Sequence, residues 1–210
     1  MVSHGFLRKL NVYSNLPAWA GVFLLLAVLV ADASAAGVQS PASVPSALTE
    51  AGQLKSLMVR LCQAQSPQGV TPELCSMPVA TVRFRHAGGQ EVAFPVLVAG
   101  DNRQRRAGYQ HVSPDVMAQT AIFFVFPAEV RGPFHMCNVA APLDIAWIAA
   151  DGSIVDVQVM EPGPAQSPST CPALYSPRSQ TPYLFALEAP HGFFKAIGLD
   201  PASRLTKASR

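Results

Sequence analysis

The sequence predicts a mainly β fold, a jelly-roll-like sandwich or partly open barrel with short helices and an N-terminal amphipathic helix. Three observations carry that prediction. The hydrophobic period changes from 3.6 to 2 at residue 79, where "VATVRFRH" sets Ala80, Val82 and Phe84 against Thr81, Arg83 and Arg85. Asp151-Gly152 stands between two alternating apolar runs, a strong two-residue hairpin signal. Strand-like runs separated by turn residues then continue to the last quarter of the chain, at least six in all.

Before that β-rich region, the chain is read in three pieces. Residues 1–35 form a secretory signal peptide: Arg8 and Lys9 supply the positive start, "AWAGVFLLLAVLV" the apolar centre, and Ala33-Ser34-Ala35 the small-x-small pattern cleaved near Ala35. The apolar run is short of the about 20 residues a membrane span needs, so no stable span is expected after cleavage, an uncleaved anchor being the alternative. No cysteine follows it and no twin-arginine pair precedes it, which points to the general secretion route. Residues 36–46, "AGVQSPASVPS", read as a flexible tail. Residues 47–78 hold an N-terminal helix, with Leu54, Leu57, Met58 and Leu61 at helical spacing, and a disulfide loop.

Residues 79–210 are expected to form the β-rich domain. "VATVRFRH" and "EVAFPVLVA" flank a Gly88-Gly89 turn, and Pro95 suits an edge or a bulge. "RQRR" at 103–106 reads as a solvated loop and "SPDVMAQ" as one helical turn. "TAIFFVF" is a continuous apolar run of the fully buried kind, followed by the loop "PAEVRGP". Residues 134–157 supply two further strands, residues 161–182 a Pro-rich loop, and "PYLFALEA" another strand. "HGFFKAIG" closes with a short helix, Gly198 standing where a C-terminal capping glycine belongs.

Charge and cysteine usage narrow the function classes. The chain carries 15 Lys and Arg against 13 Asp and Glu, and without Arg8, Lys9 and Asp32 the balance is 13 to 12. A nucleic-acid partner, which calls for a basic stripe, is not expected. Cys62, Cys75, Cys137 and Cys171 enter an oxidising compartment and read as two disulfides; local closure favours Cys62–Cys75, leaving Cys137–Cys171. No C-x-x-C, Gly-rich phosphate loop, Rossmann fingerprint or G-x-S-x-G elbow occurs, so no cofactor is expected.

The hairpin register singles out one carboxylate. A two-residue turn at Asp151-Gly152 opposes Ile148 to Val155, Ala146 to Val157 and Asp144 to Val159 on the core face, and leaves Trp147–Asp156 and Ile145–Gln158 on a half-wet face. A core-facing Asp144 is costly unless hydrogen-bonded or paired. Backbone N–H donors pinning a bend are one answer; a pocket is the other. Strand parity puts Phe134, Met136 and Asn138 on one face and His135, Cys137 and Val139 on the other, so "HMC" does not assemble a metal site, and none is expected.

The stretch "NVAAPLDIAWIAADGSIV" resembles the N-T-x-x-P-L-D-I-x-F-I-x-x-D-G-x-I-V signature of the family called domain of unknown function 192, ungapped from Phe134 to Val155. "VAGDNRQRRAG" looks like its V-A-D-T-x-x-E-R-x-x-G-L-M segment, placing Arg105 and Gly108 on its Arg and Gly. "FFVFP" is similar to its L-F-x-F-P, and "YLFALEAPHGFF" matches its Y-x-L-E-x-P-x-G-W-F on Tyr183, Leu187, Glu188, Pro190, Gly192 and Phe194. The likeness covers about residues 92–205, and departures fall at Tyr109-Gln110, His135, Cys137, Val139 and Ala202. It implies a compact, β-rich, jelly-roll-like fold in a small, commonly exported bacterial or archaeal protein, and no settled activity.

The resulting expectation is an exported soluble β-domain, a small-ligand binding or envelope accessory module with a site near Asp144, Asn138 and Arg105. Arg105 is the expected cationic partner of Asp144; Met136 and aromatic residues are the walls, and Glu188 completes the set. The partner is a small molecule or an envelope component. The alternative is a hydrolase or lyase with Asp144 and Glu188 as acid and base; a disulfide-stabilised structural protein without a ligand is a third reading.

Overall fold

A computed structural model describes residues 45–64, 69–163, 170–171 and 174–209; the expected signal peptide and nearly all of the expected tail lie outside the described residues. Helices α1 (Ala51–Cys62) and α2 (Pro72–Ser76) lead into strands β1 (Val79–Arg85) and β2 (Glu91–Ala99). Helices α3 (Asn102–Ala107) and α4 (Pro114–Met117) then cross to β3 (Ile122–Val130) and the short β4 (Phe134–His135). The hairpin β5 (Leu143–Ile148) and β6 (Ile154–Met160) is followed by β7 (Leu174–Tyr175), β8 (Tyr183–Pro190), α5 (Phe193–Ile197) and β9 (Arg204–Ser209).

The strands form a seven-stranded mixed sheet in the order β6-β5-β8-β3-β2-β1-β9, and β4 pairs with β7 in a second, two-stranded sheet. The β2–β3 contact is parallel because α3 and α4 carry the chain back across the sheet; every other neighbouring pair is antiparallel. β3 joins β2 only at Leu97, Val98 and Ala99, so the donor missing at Pro95 interrupts no bond to β3. The sheet curls until its outer strands meet at one point. Ser153 bridges Arg204, and the Leu205 N–H donates to the Gly152 carbonyl at 2.8 Å. It does not close into a barrel.

Alternation along the strands builds two cores. Ala80, Val82, Phe84, Phe94, Val96, Phe123, Leu187, Ala146 and Ile148 point to the concave face, which Phe193 and Phe194 of α5 plug. Leu97, Ile122, Phe124, Ile145 and Trp147 point to the other face, beneath α1 (Leu54, Leu57, Met58), α2 (Leu74) and α4 (Val116, Met117). β5 is therefore buried along its whole length. The half-wet face expected for Ile145 and Trp147 is corrected here: a central strand between two layers has no wet side.

Other corrections are local. The β5–β6 turn has three residues: Gly152 N–H donates to the Ala149 carbonyl at 2.9 Å and Ala149 N–H to the Ser153 carbonyl at 2.9 Å. A bulge beyond Trp147 pairs Ile148 with Ile154 and restores the expected register from Trp147–Asp156 to Asp144–Val159. "RQRR" is helical, because Asp101 and Gln104 form a reciprocal capping box around the start of α3. The loop expected at "PAEV" belongs to β3, and "HMC" leaves strand geometry after His135 to turn at Asn138, whose φ is 60°. Cys62–Cys75 and Cys137–Cys171 are disulfide-bonded, with Cα separations of 5.7 and 5.8 Å.

Candidate functional site

β8 lies between β3 and β5, with Glu188 opposite Ile122 on one side and Ile145 on the other. Both isoleucines belong to the helix-covered core, so Glu188 points into that layer and not into the concave interior. It lines a cavity of about 780 Å³. β3 contributes Phe124 and Phe126, β4 contributes Phe134 and His135, and Tyr183 starts β8. The rings pack edge-on: Phe124–Phe134 centroids are 5.2 Å apart and Phe126–Tyr183 centroids 5.5 Å.

The roof is the end of α3. Gly108 closes the helix through its N–H on the Gln104 carbonyl at 3.0 Å and takes φ 46°, which favours glycine. A Cβ at this position would stand 3.6 Å from Phe124 Cζ and 3.9 Å from Glu188 Oε2, so backbone lies directly over the carboxyl. Arg105 donates to the carbonyls of Gly100 (2.7 Å) and Val125 (2.8 Å) and to Asn102 Oδ1 (2.7 Å). Its guanidinium also stacks over Phe126 at 5.5 Å. Arg106 extends at the exposed rim.

Glu188 is 5% exposed, and among the described residues no hydrogen bond or ion pair engages its carboxyl. Burial alone pushes its pKa up to about 8. Tyr109, buried beside it, donates to the Thr120 carbonyl at 2.7 Å, and burial raises its pKa far above the ordinary phenol range. Burial lowers the pKa of His135, whose Nδ1 is buried without a hydrogen-bond partner. His135 Nδ1 or Nε2 and the sulfurs of Cys137 and Cys171 lie within 4.8 Å of one another, but sulfurs joined in a disulfide offer no thiolate to a metal. That disulfide and the pairing of Phe134 with Tyr175 hold this wall of the cavity.

The expected site residues separate. Arg105 and Glu188 line the cavity. Asn138 reaches its edge, donating from Nδ2 to Gln110 Oε1 at 3.4 Å, and its carbonyl accepts from His111 N–H at 2.8 Å. Met136 is fully buried in the helix-covered core. Asp144 is on the opposite face of the sheet. Its Oδ1 lies 2.9 Å from His191 Nδ1, and its Oδ2 accepts the Phe194 N–H at 3.1 Å, securing the first turn of α5. The expected Asp144–Arg105 pair does not form, because the sheet stands between them. For the same reason Asp144 and Glu188 do not share a substrate as acid and base. Phe126, Phe134 and Tyr183, which give the cavity its aromatic walls, fall in three separate segments of the family likeness, and only the convergence of β3, β4 and β8 gathers them.

A family model for DUF192, described as Uncharacterized ACR, matches residues 83–207. Among solved structures, one from Sinorhizobium meliloti 1021, described as a proposed transcription regulator, is similar at 28% identity. It has a TM-score of 0.51, covering 62% of this chain and 95% of that one. A protein of unknown function from Novosphingobium aromaticivorans DSM 12444 is similar in fold at 17% identity and TM-score 0.53, covering 68% of this chain and 94% of that one. No curated protein matches.

Proposed function

The chain belongs to the DUF192 family, and from that premise we propose that it is an exported soluble β-domain that binds a small molecule in the cavity over Glu188. One observation carries the reading: a carboxyl more than nine-tenths buried faces an aromatic-walled cavity of about 780 Å³ with no hydrogen bond or ion pair among the described residues. An unanswered buried carboxyl costs folding free energy, and a bound molecule is the natural source of its partner. The cavity lies within the usual range for small-molecule sites, about 300–1,000 Å³. Arg105, Gly108 and Glu188, three positions that carry the family likeness, converge there.

Two disulfides support an oxidising, exported setting, as does the signal-peptide pattern of residues 1–35. Among the described residues no helix is long and apolar enough to cross a membrane. A formal net charge of +2 without a basic stripe does not favour a nucleic-acid partner. The test is a thermal-shift screen of sugars, cell-wall fragments and small amphiphiles against wild type and Glu188→Gln. Ligands of the cavity raise the melting temperature of wild type and lose that effect in the variant. A ligand that stabilises both equally binds elsewhere and overturns the assignment.

A further inference from the structure

Resting on the cavity reading, we infer that the ligand is an organic cation: an ammonium group that meets the Glu188 carboxylate, on an apolar or aromatic body that lies against Phe124, Phe126, Phe134 and Tyr183. The inventory of polar groups in the wall points that way. Donors of the wall are turned to protein acceptors: Arg105 to two carbonyls and Asn102, Gln110 to the Arg106 carbonyl at 2.6 Å, and Asn138 to Gln110. Tyr183 donates to the Gly132 carbonyl and Tyr109 to that of Thr120. What the interior leaves open is the Glu188 carboxyl and the His135 Nδ1, together with aromatic faces. A cation with N–H donors matches the carboxyl and the aromatic faces, whereas an anion would be repelled by the ionised carboxyl.

Aromatic faces in this cavity already receive a cation, since the Arg105 guanidinium stacks over Phe126 at 5.5 Å. The other ionisable groups around Glu188 do not supply its counter-charge. Burial keeps His135 toward its neutral form and holds both tyrosines protonated, Tyr183 with a pKa of about 12. Arg105 is tied to the Gly100 and Val125 carbonyls, and Arg106 lies at the rim.

Binding then exchanges one proton. The carboxyl O–H of free Glu188 ionises, the proton leaves to solvent, and the carboxylate accepts hydrogen bonds from the incoming ammonium. Affinity for a permanently charged amine therefore rises as pH increases, by up to tenfold per unit, and levels off near pH 8, where the free carboxyl is itself ionised.

The experiment uses three probes of one shape: phenethylammonium, 2-phenylethanol and phenylacetate, titrated calorimetrically at pH 6, 7 and 8 in buffers of different ionisation enthalpy. Expected are binding of phenethylammonium at least tenfold tighter than of the alcohol, no measurable binding of the anion, and release of close to one proton at pH 6. Glu188→Gln should lose the preference for the amine and the proton release; a melting temperature equal to wild type at pH 5 certifies its fold. If the alcohol or the anion binds as well as the amine and competes at the cavity, the cation assignment falls while the binding reading stands. If none of the three binds wild type at any pH, both fall.

Discussion

Asp144 and Glu188 sit on adjacent strands, one register step apart, and each is 5% exposed. By burial they are the same residue. They differ in what answers the charge. Asp144 faces the concave core, where a His191 ring nitrogen and the Phe194 N–H occupy its two oxygens and tie β5 to the start of α5. Glu188 faces the helix-covered layer, where it lines a cavity roofed by the turn of the chain at Gly108. Burial by itself marks neither structure nor function; what separates the two carboxyls is whether protein groups answer them.

Four substitutions separate the two roles. The largest effect is expected from Glu188→Gln as pH changes. The folded carboxyl, with its pKa raised to about 8, keeps a proton that the unfolded chain gives up near the ordinary 4.5. Wild-type stability is thus full below pH 4.5 and falls toward pH 8, by up to about 1.4 kcal/mol per unit and about 4 kcal/mol across the window. Denaturant melts at pH 5, 6.5 and 8 check this: the Gln variant should lack the slope and exceed wild type at pH 8. A slope preserved in the variant would assign it to another group.

Asp144→Ala comes next. It strands the buried Phe194 N–H and removes the partner of His191, at a cost of about 3 kcal/mol, or about 6–12 °C in melting temperature. Amine binding should be unchanged in the folded protein at 20 °C. Lost binding at unaltered stability would reverse the two assignments. Gly108→Ala should cost about 1–2 kcal/mol, because φ there is 46°, and should also weaken binding by bringing a methyl group to the roof of the cavity. His191→Ala should do least, about 1 kcal/mol or below, since 53% of that side chain is exposed and water can take its place on Asp144.

Much of the scaffold was readable from local pattern. The alternation of β1, the apolar spacing of α1, the Gly198 cap of α5 and the cysteine pairing all follow from near neighbours or from loop closure. So does the core-facing parity of Asp144. The misread parts are those where a distant element decides. "RQRR" looks like a solvated loop because the signal for α3 is a single capping pair, Asp101 with Gln104, and not a hydrophobic period. Asp156 looks like the wet side of a hairpin until Arg178, 22 residues on, donates to it from both backbone and guanidinium and holds its pKa well below the usual carboxylate range. Glu188 was visible as a residue, but which face it serves depends on β8 lying between β3 and β5, a pairing set across more than 40 residues of chain.

The point where the sheet's outer strands touch has a consequence for how molecules of this protein treat one another. An open sheet has two unpaired borders, and each is a template for a strand from a neighbouring chain. Here the borders are fastened where Leu205 donates to Gly152, and a Cβ at that glycine would stand 2.3 Å from the Leu205 oxygen. No side chain fits without prising the strands apart. A change at Gly152 is therefore expected to surface first as aggregation in concentrated solution, with the cavity over Glu188 still in place.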